Sequence, residues 1–299
     1  MQALKTPIQE IKDPLFDEKE IRFLVKRDDL NHPVVSGNKF RKLKYNLEQA
    51  KLQGHDTLLT FGGAFSNHIY AVAGAGASFG FKTIGVIRGE AHETLNPTLA
   101  FAQSQGMHLH YMDRESYRRK NEVEILEQLE GQFGKCYVLP EGGTNELAIK
   151  GCEEIVSEID QEFDVITCPV GTGGTVSGLI SGLNGAKRVI GFSALKGNFL
   201  KDEVHTLLEE IGAGNLNNWS IQTDFHFGGY AKVKPDLIRF IQQFEYAHNI
   251  PLEPIYTGKM FYGLFGLIRN DFFQKGTVIM ALHTGGLQGN AGFDFRKLE

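Results

Sequence analysis

Short apolar runs alternate with helix-period segments along most of this chain, and glycine-rich turns join one to the next. Residues 56–61 (DTLLTF) read as a strand and 67–79 as a helix, then 82–88 (KTIGVIR) as a strand and 97–105 as a helix. Strands follow at 108–112, 137–139, 164–170 and 188–195, separated by helices predicted over 116–133, 146–159 and 175–183. Helices over 202–211, 234–248 and 259–272 lead to a last strand at 278–283. That order restricts the fold severely. Neighbouring parallel strands need a crossover, and the intervening helix supplies it. The strands are almost uninterrupted apolar runs, as expected when helices cover both faces of a sheet. The expected fold class is α/β, and at 299 residues the chain has room for two parallel-sheet domains. The expected division assigns residues 51–156 to a smaller α/β domain and residues 1–50 plus 157–299 to a larger one.

Charge and composition remove several classes of function. Lys and Arg number 31 against 36 Asp and Glu, a formal charge of −5. Binders of nucleic acid or of anionic membranes usually present a basic surface, so neither partner is expected. No apolar run reaches the roughly 18 residues that a membrane span needs. The opening MQALKTPIQEIKDP lacks the apolar core of a secretion signal. Three scattered cysteines, Cys136, Cys152 and Cys168, form neither a disulfide framework nor a zinc-ligand spacing. The expectation is a cytoplasmic protein with reduced thiols and no metal.

Ligands of α/β sheets bind where loops leave the C-terminal ends of strands. Three such turns stand out. The run Gly171-Thr172-Gly173-Gly174-Thr175 follows the strand DVITCPV and opens a helix. Its glycines allow close backbone approach, and helix N-terminal amides favour a phosphate. It lacks the Gly-Lys-Ser/Thr of a P-loop, and Val176 stands where a dinucleotide motif needs its third glycine. A ligand-free βα turn is the plainer alternative. A second feature is the cluster Lys39, Arg41, Lys42 and Lys44 in the first turns of a helix, with Ser36 as the expected N-cap. Cations are unfavourable at a helix N-terminus, so the cluster is either a solvated basic face or a device that lowers one lysine's pKa. A neutral lysine is a nucleophile toward an aldehyde. The third feature is Gly62-Gly63-Ala64-Phe65-Ser66-Asn67-His68, whose amides and side chains could hold a carboxylate. It is not G-x-S-x-G, which argues against a serine hydrolase and leaves an N-capping Ser66 as the plain reading.

Together with Val25-Lys26-Arg27-Asp28-Asp29-Leu30, these stretches resemble the motifs of the pyridoxal-phosphate enzymes of the 1-aminocyclopropane-1-carboxylate deaminase / D-cysteine desulfhydrase family. His226-Phe227-Gly228-Gly229-Tyr230, Pro254-Ile255-Tyr256-Thr257-Gly258-Lys259 and His283-Thr284-Gly285-Gly286 follow in that family's order, so the resemblance spans residues 20–290. It implies the tryptophan synthase β-like fold, a larger and a smaller α/β domain with pyridoxal 5'-phosphate between them, in a homodimer. Lys39 would join the cofactor's aldehyde as an imine. Gly171, Thr172, Gly173, Gly174 and Thr175 would hold its phosphate, and Asn67 its phenolic oxygen. Ser66, Tyr230 and Tyr256 would line the side of a small amino-acid substrate. The implied reaction is a lyase chemistry: Lys39 removes the Cα proton, a group leaves Cβ, and hydrolysis yields a keto acid and ammonia.

Family deaminases carry Glu after the tyrosine of the Tyr-x-Gly-Lys motif, where this chain has Thr257. A carboxylate there keeps the pyridine nitrogen protonated; a hydroxyl does so less well. Thr257 or Thr284 would meet that nitrogen. A weaker electron sink suffices to expel thiolate, so the resemblance implies β-elimination from D-cysteine ahead of cyclopropane ring opening. Gly229-Tyr230-Ala231 and Phe65 depart from the family's usual residues and bear on the substrate. Readings of other classes are a nicotinamide dehydrogenase using the glycine turn and a catalytically silent ligand-binding protein.

Overall fold

Two sheets are built from the residues that the structure, a computed structural model, describes, namely 5–91 and 93–293. The opening tetrapeptide, part of the segment read above as lacking a leader, lies outside them. The strands are β1 (Ile8–Ile11), β2 (Arg22–Lys26), β3 (Thr57–Gly62), β4 (Lys82–Arg88), β5 (His108–Met112), β6 (Tyr137–Leu139), β7 (Val165–Val170), β8 (Arg188–Ser193), β9 (Trp219–Gln222) and β10 (Val278–Leu282). The helices are α1 (Pro14–Lys19), α2 (Asn38–Leu52), α3 (Asn67–Phe79), α4 (Pro97–Ser104), α5 (Arg114–Arg118), α6 (Val123–Phe133), α7 (Glu146–Ser157), α8 (Gly174–Leu183), α9 (Phe199–Glu210), α10 (Pro235–His248) and α11 (Thr257–Arg269). One sheet runs β1-β2-β10-β7-β8-β9 and the other β5-β4-β3-β6. All neighbours are parallel except β1 and β2, which are antiparallel. The α/β fold expected from the alternation is therefore present, with one antiparallel edge added. No helix among the described residues is long and apolar enough to cross a membrane. Their three cysteines are unpaired, and no group of His, Cys, Asp and Glu among them could hold a metal.

Three departures from the sequence reading have local causes. The helix expected over 116–133 is two helices. Asp113 caps α5 by accepting from the Glu115 and Ser116 amides, and residues 118–122 (RRKNE) offer no apolar side chain to continue a buried face. Strands β1 and β9 are only four residues long and largely half-buried, so they lack a clear apolar run. Ser36 does not cap α2. The cap is Gly37, which makes no side-chain hydrogen bond.

Strand period two distributes the core. Phe23 and Val25 of β2 face α11 and α10, packing with Phe261, Phe265 and Phe244, while Leu24 faces the opposite side with Ile166, Leu179 and Val204. The four-stranded sheet has its own two cores, with Leu58 on one side and Leu59 and Phe61 on the other. The expected cut at residue 51 falls inside α2. That helix buries Phe40, Leu43, Leu47 and Ala50 against Leu58, Ile69 and Val72 of the four-stranded sheet's core. Each such large side chain contributes about 1.5–3 kcal/mol.

The N-terminus of α2 is seated on the end of β10. Gly37 has φ 68°, and a Cβ there would lie 1.9 Å from the Thr284 carbonyl oxygen. The next amide, Asn38 N, donates to that oxygen at 3.2 Å. Asn31 clamps Gly37 from behind, accepting from its N at 2.9 Å and donating to its O at 2.9 Å. Gly37→Ala should therefore cost about 2 kcal/mol or more in chemical denaturation, combining left-handed strain with a backbone clash. Gly54→Ala, at φ 75° with nothing within 4 Å, should cost about 1 kcal/mol from the dihedral alone. Equal losses would show that the contact with Thr284 does not constrain the helix.

Candidate active site

Helix α2 sorts its own basic cluster. Arg41 is fully buried and turns toward carboxylates. Its Nη2 donates to Asp28 Oδ1 at 2.7 Å and to Glu158 Oε2 at 2.8 Å, and its Nη1 also donates to Glu158. Lys44 pairs with Glu154 at 2.5 Å. Lys39 and Lys42, three residues apart, share the remaining face. Neither has a carboxylate partner among the described residues, and Lys39 Nζ makes no hydrogen bond to them. Burial, with the charge of Lys42 added to it, lowers the Lys39 ammonium to about 7. The sequence reading expected this direction but attributed it to neighbouring cations and the helix end; burial is the larger cause.

Lys42 closes a cradle at the glycine turn. Its Nζ donates to Thr144 Oγ1 at 2.9 Å, to the Gly142 carbonyl at 3.1 Å and to Thr172 Oγ1 at 3.3 Å. Burial lowers it to about 8. Helix α8 begins here. Its cap, Gly173, has φ 79° and makes no side-chain hydrogen bond, so the first amides and the positive dipole end are left open. A Cβ at Gly174 would sit 3.0 Å from Thr144 and 3.1 Å from Lys42 Nζ. Thr175 Oγ1 accepts from Asn38 Nδ2 at 2.9 Å, which leaves its own O–H to donate. The set consists of open amides, hydroxyls and a buried ammonium without a carboxylate. Such a set fits a phosphate, because a buried cation needs an anion. Val176 is buried in the core under the six-stranded sheet and takes no part in the cradle.

The third turn lies across the cleft. Ser66 caps α3, its Oγ accepting from His68 N at 3.2 Å and Ile69 N at 3.3 Å. Its O–H remains a donor. The His68 ring instead meets Thr60 Oγ1 at 2.8 Å, so Ser66 and His68 are not a nucleophile–base pair. Asn67 Oδ1 accepts from Gln288 Nε2 at 3.0 Å, and a Cβ at Gly286 would lie 2.8 Å from Asn67 Nδ2. The turn after β10 thus packs directly on Asn67. Tyr256 lies over Gly171, where a Cβ would touch its ring at 3.0 Å. Tyr230 meets Tyr256 edge to face at 6.2 Å. Burial pushes both phenols above their ordinary range, so both are proton donors at neutral pH.

Glu253, which the sequence reading missed, organises the start of α11. It is fully buried, and its carboxylate accepts from Ile255 N at 2.8 Å, Tyr256 N at 2.8 Å and Thr257 N at 2.6 Å. Thr257 Oγ1 lies 3.2 Å from Glu253 Oε1 and accepts from Glu253 N at 3.1 Å. Thr284 Oγ1 makes no hydrogen bond to the described residues. The geometry brings Lys39, Thr175 and Thr284 to the start of α2, Asn67 to Gly286, and Tyr256 to Gly171. Lys42, Thr144 and Glu253 were not anticipated. Only Lys42 left a signal, its three-residue spacing from Lys39.

Comparisons with known proteins identify the family. The family model described as pyridoxal-phosphate dependent enzyme matches residues 2–285. A Pyrococcus horikoshii protein provisionally named 1-aminocyclopropane-1-carboxylate deaminase is 32% identical over 95% of this chain and 90% of its own length. The mitochondrial bifunctional D-cysteine desulfhydrase/1-aminocyclopropane-1-carboxylate deaminase of Arabidopsis thaliana is 31% identical over 89% of this chain and 72% of its own. The crystal structure of an ACC deaminase homologue superposes with a TM-score of 0.84 at 31% identity, covering 98% of this chain and 94% of that one. The chain belongs to the pyridoxal-phosphate-dependent enzyme family, with the type II fold, and pyridoxal phosphate is its cofactor.

Two outcomes follow from the lysines. Only a neutral amine attacks an aldehyde. Cofactor uptake by the apoprotein, followed by visible absorbance, should rise through about pH 7 and then level off. An ordinary lysine, near about 10.4, would keep the rate climbing. Lys42→Met should weaken retention of pyridoxal phosphate about 10- to 100-fold, the loss of a charge-assisted contact. It should leave binding of phosphate-free pyridoxal nearly unchanged.

Proposed function

We propose that this enzyme eliminates a leaving group from Cβ of a small amino acid, with D-cysteine preferred, and that D-cysteine and water yield pyruvate, ammonia and hydrogen sulfide. The observation that carries the reading is the pair of neutral hydroxyls, Thr257 and Thr284, at the positions that the resemblance assigns to the ring nitrogen. No carboxylate stands in the Thr257 position, and the Thr257 hydroxyl is engaged by Glu253. We assign the ring nitrogen to Thr284, whose hydroxyl has no other partner among the described residues. Such a site supports loss of a good leaving group such as thiolate. The names of the relatives support deamination and desulfhydration as the reaction class.

The bound cofactor supplies an electron sink for charge developing at the substrate Cα. Lys42, Thr172, Thr175 and the first amides of α8 would hold its phosphate, and Asn67 would hold its phenolic oxygen. The O–H of Ser66 binds the substrate carboxylate and orients the amino acid. Lys39, largely neutral just above pH 7, takes the Cα proton at Nζ. Tyr256, assisted by its neighbour Tyr230, holds a proton that it gives to the departing sulfur. Glu253 acts through Tyr256 and Thr257 by fixing the start of α11.

A second reading, ring opening of 1-aminocyclopropane-1-carboxylate, is favoured by Glu253, a carboxylate one hydrogen bond behind Thr257. The test compares D-cysteine, L-cysteine, D-serine and 1-aminocyclopropane-1-carboxylate as substrates of the holoenzyme. The expected result is sulfide and pyruvate from D-cysteine, with kcat/KM about tenfold or more above the others. Tyr256→Phe should lower kcat about 10²- to 10⁴-fold while sparing cofactor binding. Turnover of the cyclopropane without sulfide release from D-cysteine would replace this reading by the second.

A further inference from the structure

A cleft of about 410 Å³ opens at the C-terminal end of the four-stranded sheet and belongs to none of the roles above. It is lined by Arg88, Arg114, Tyr117, Arg118, Lys120 and Glu141. Arg88 ends β4. Arg114 and Arg118 lie four apart on α5, so they share one face. Four cations thus converge on one carboxylate in a chain whose formal charge is −5. Glu141 is engaged by Lys120 at 3.1 Å. Arg88, Arg114 and Arg118 have no carboxylate partner among the described residues. Like charges gathered in a cleft repel one another and raise the local anion concentration.

The wall adds a second, independent sign. Tyr117 is 2% exposed, and its buried hydroxyl makes no hydrogen bond of ordinary geometry, its carboxylate neighbour being Glu141. Arg88 and Lys120 stand over its ring, at 5.9 Å and 5.0 Å from the centroid. Burial and the neighbouring Glu141 keep this hydroxyl protonated, so it is a donor that an ordered ligand oxygen in the cleft can satisfy.

The cleft adjoins the amino-acid site on two sides. A Cβ at Gly63, in the turn that leads to Ser66, would lie 3.7 Å from Arg88 Nη2. Glu141 precedes Gly142, whose carbonyl accepts from Lys42. Strand ends of this kind are where α/β sheets bind ligands, and the volume suits a small one.

We propose that this cleft binds a phosphate or sulfonate oxyanion at the outer edge of the amino-acid site. The anion is either free in solution or carried on the side chain of an amino acid seated at Ser66. The second source rests on the reading of the preceding subsection; the first does not.

The test uses the holoenzyme, in which the cradle at 171–175 holds the cofactor's own phosphate, so that added phosphate reports on the cleft. Inorganic phosphate is titrated calorimetrically at constant ionic strength set with chloride, into wild type and into Arg114→Gln/Arg118→Gln. A free anion predicts saturable binding that weakens about tenfold or more in the double variant. O-Phospho-D-serine and D-serine are then compared as ligands by the shift of the cofactor's visible band. A substrate-borne anion predicts about tenfold tighter binding of the phosphorylated compound, with the gap closed in the double variant. Both residues are on the exposed side of α5, and an unchanged visible spectrum and melting temperature confirm that the variant is folded. Either pattern sustains the site. Phosphate heats that are absent or equal in the two proteins, together with no preference for O-phospho-D-serine, overturn it. Because neither readout requires turnover of D-cysteine, failure of the proposed reaction and failure of this site are separable.

Discussion

The ion pairs of Arg41 with Asp28 and Glu158 decide what the rest of the active site can be. The guanidinium is fully buried, and breaking such a pair leaves an uncompensated charge that costs about 3–5 kcal/mol. The network joins the loop before α2, α2 itself and the end of α7. It also absorbs one of the charges crowded at the start of α2. Lys44 is neutralised in the same way by Glu154. What remains is a pair, Lys39 and Lys42, on one face and without carboxylates among the described residues.

In the proposed site those two lysines would divide the work of one cofactor. Lys42 is surrounded by hydroxyls, a carbonyl and an open helix end, a setting that calls for a dianion. Lys39 has no hydrogen-bond partner among the described residues, and burial lowers its ammonium so that it is deprotonated with ease. The helix carrying both is fixed at its first residue by Thr284 and along its length by apolar packing against the other sheet. The site is therefore assembled where parts of both sheets meet, with α2 held by each.

Glu253 shows a different solution to the same problem of charge. Burial raises its pKa while four hydrogen bonds from the start of α11 lower it again. The carboxylate takes the place of a helix cap and fixes Tyr256 and Thr257 in the cleft. In the cationic cleft around Arg114 and Arg118 the described residues supply one carboxylate, Glu141, for four cations. The buried Tyr117 hydroxyl beside it makes no hydrogen bond of ordinary geometry, with Glu141 as its carboxylate neighbour.

The alternation of apolar runs and helical segments determined the fold class, because parallel strands have few ways to connect. The limits of α3 and β4 were legible to the residue, since Ser66, Gly80 and the apolar run of β4 mark them. The glycines at 171–174 and the lysine at 39 were legible as ligand-binding candidates from local chemistry. The short strands β1 and β9 were not, because four half-buried residues have no distinctive period, and β2, a buried run of five residues, was not read as a strand either. Nor were the partner of each cation and the role of Glu253. Those depend on residues distant in the chain, such as Asp28, Glu158 and Thr144, that come together only when the sheets pack. Sequence spacing fixes which side chains share a face, but tertiary burial fixes which of them loses water and which finds a counter-charge.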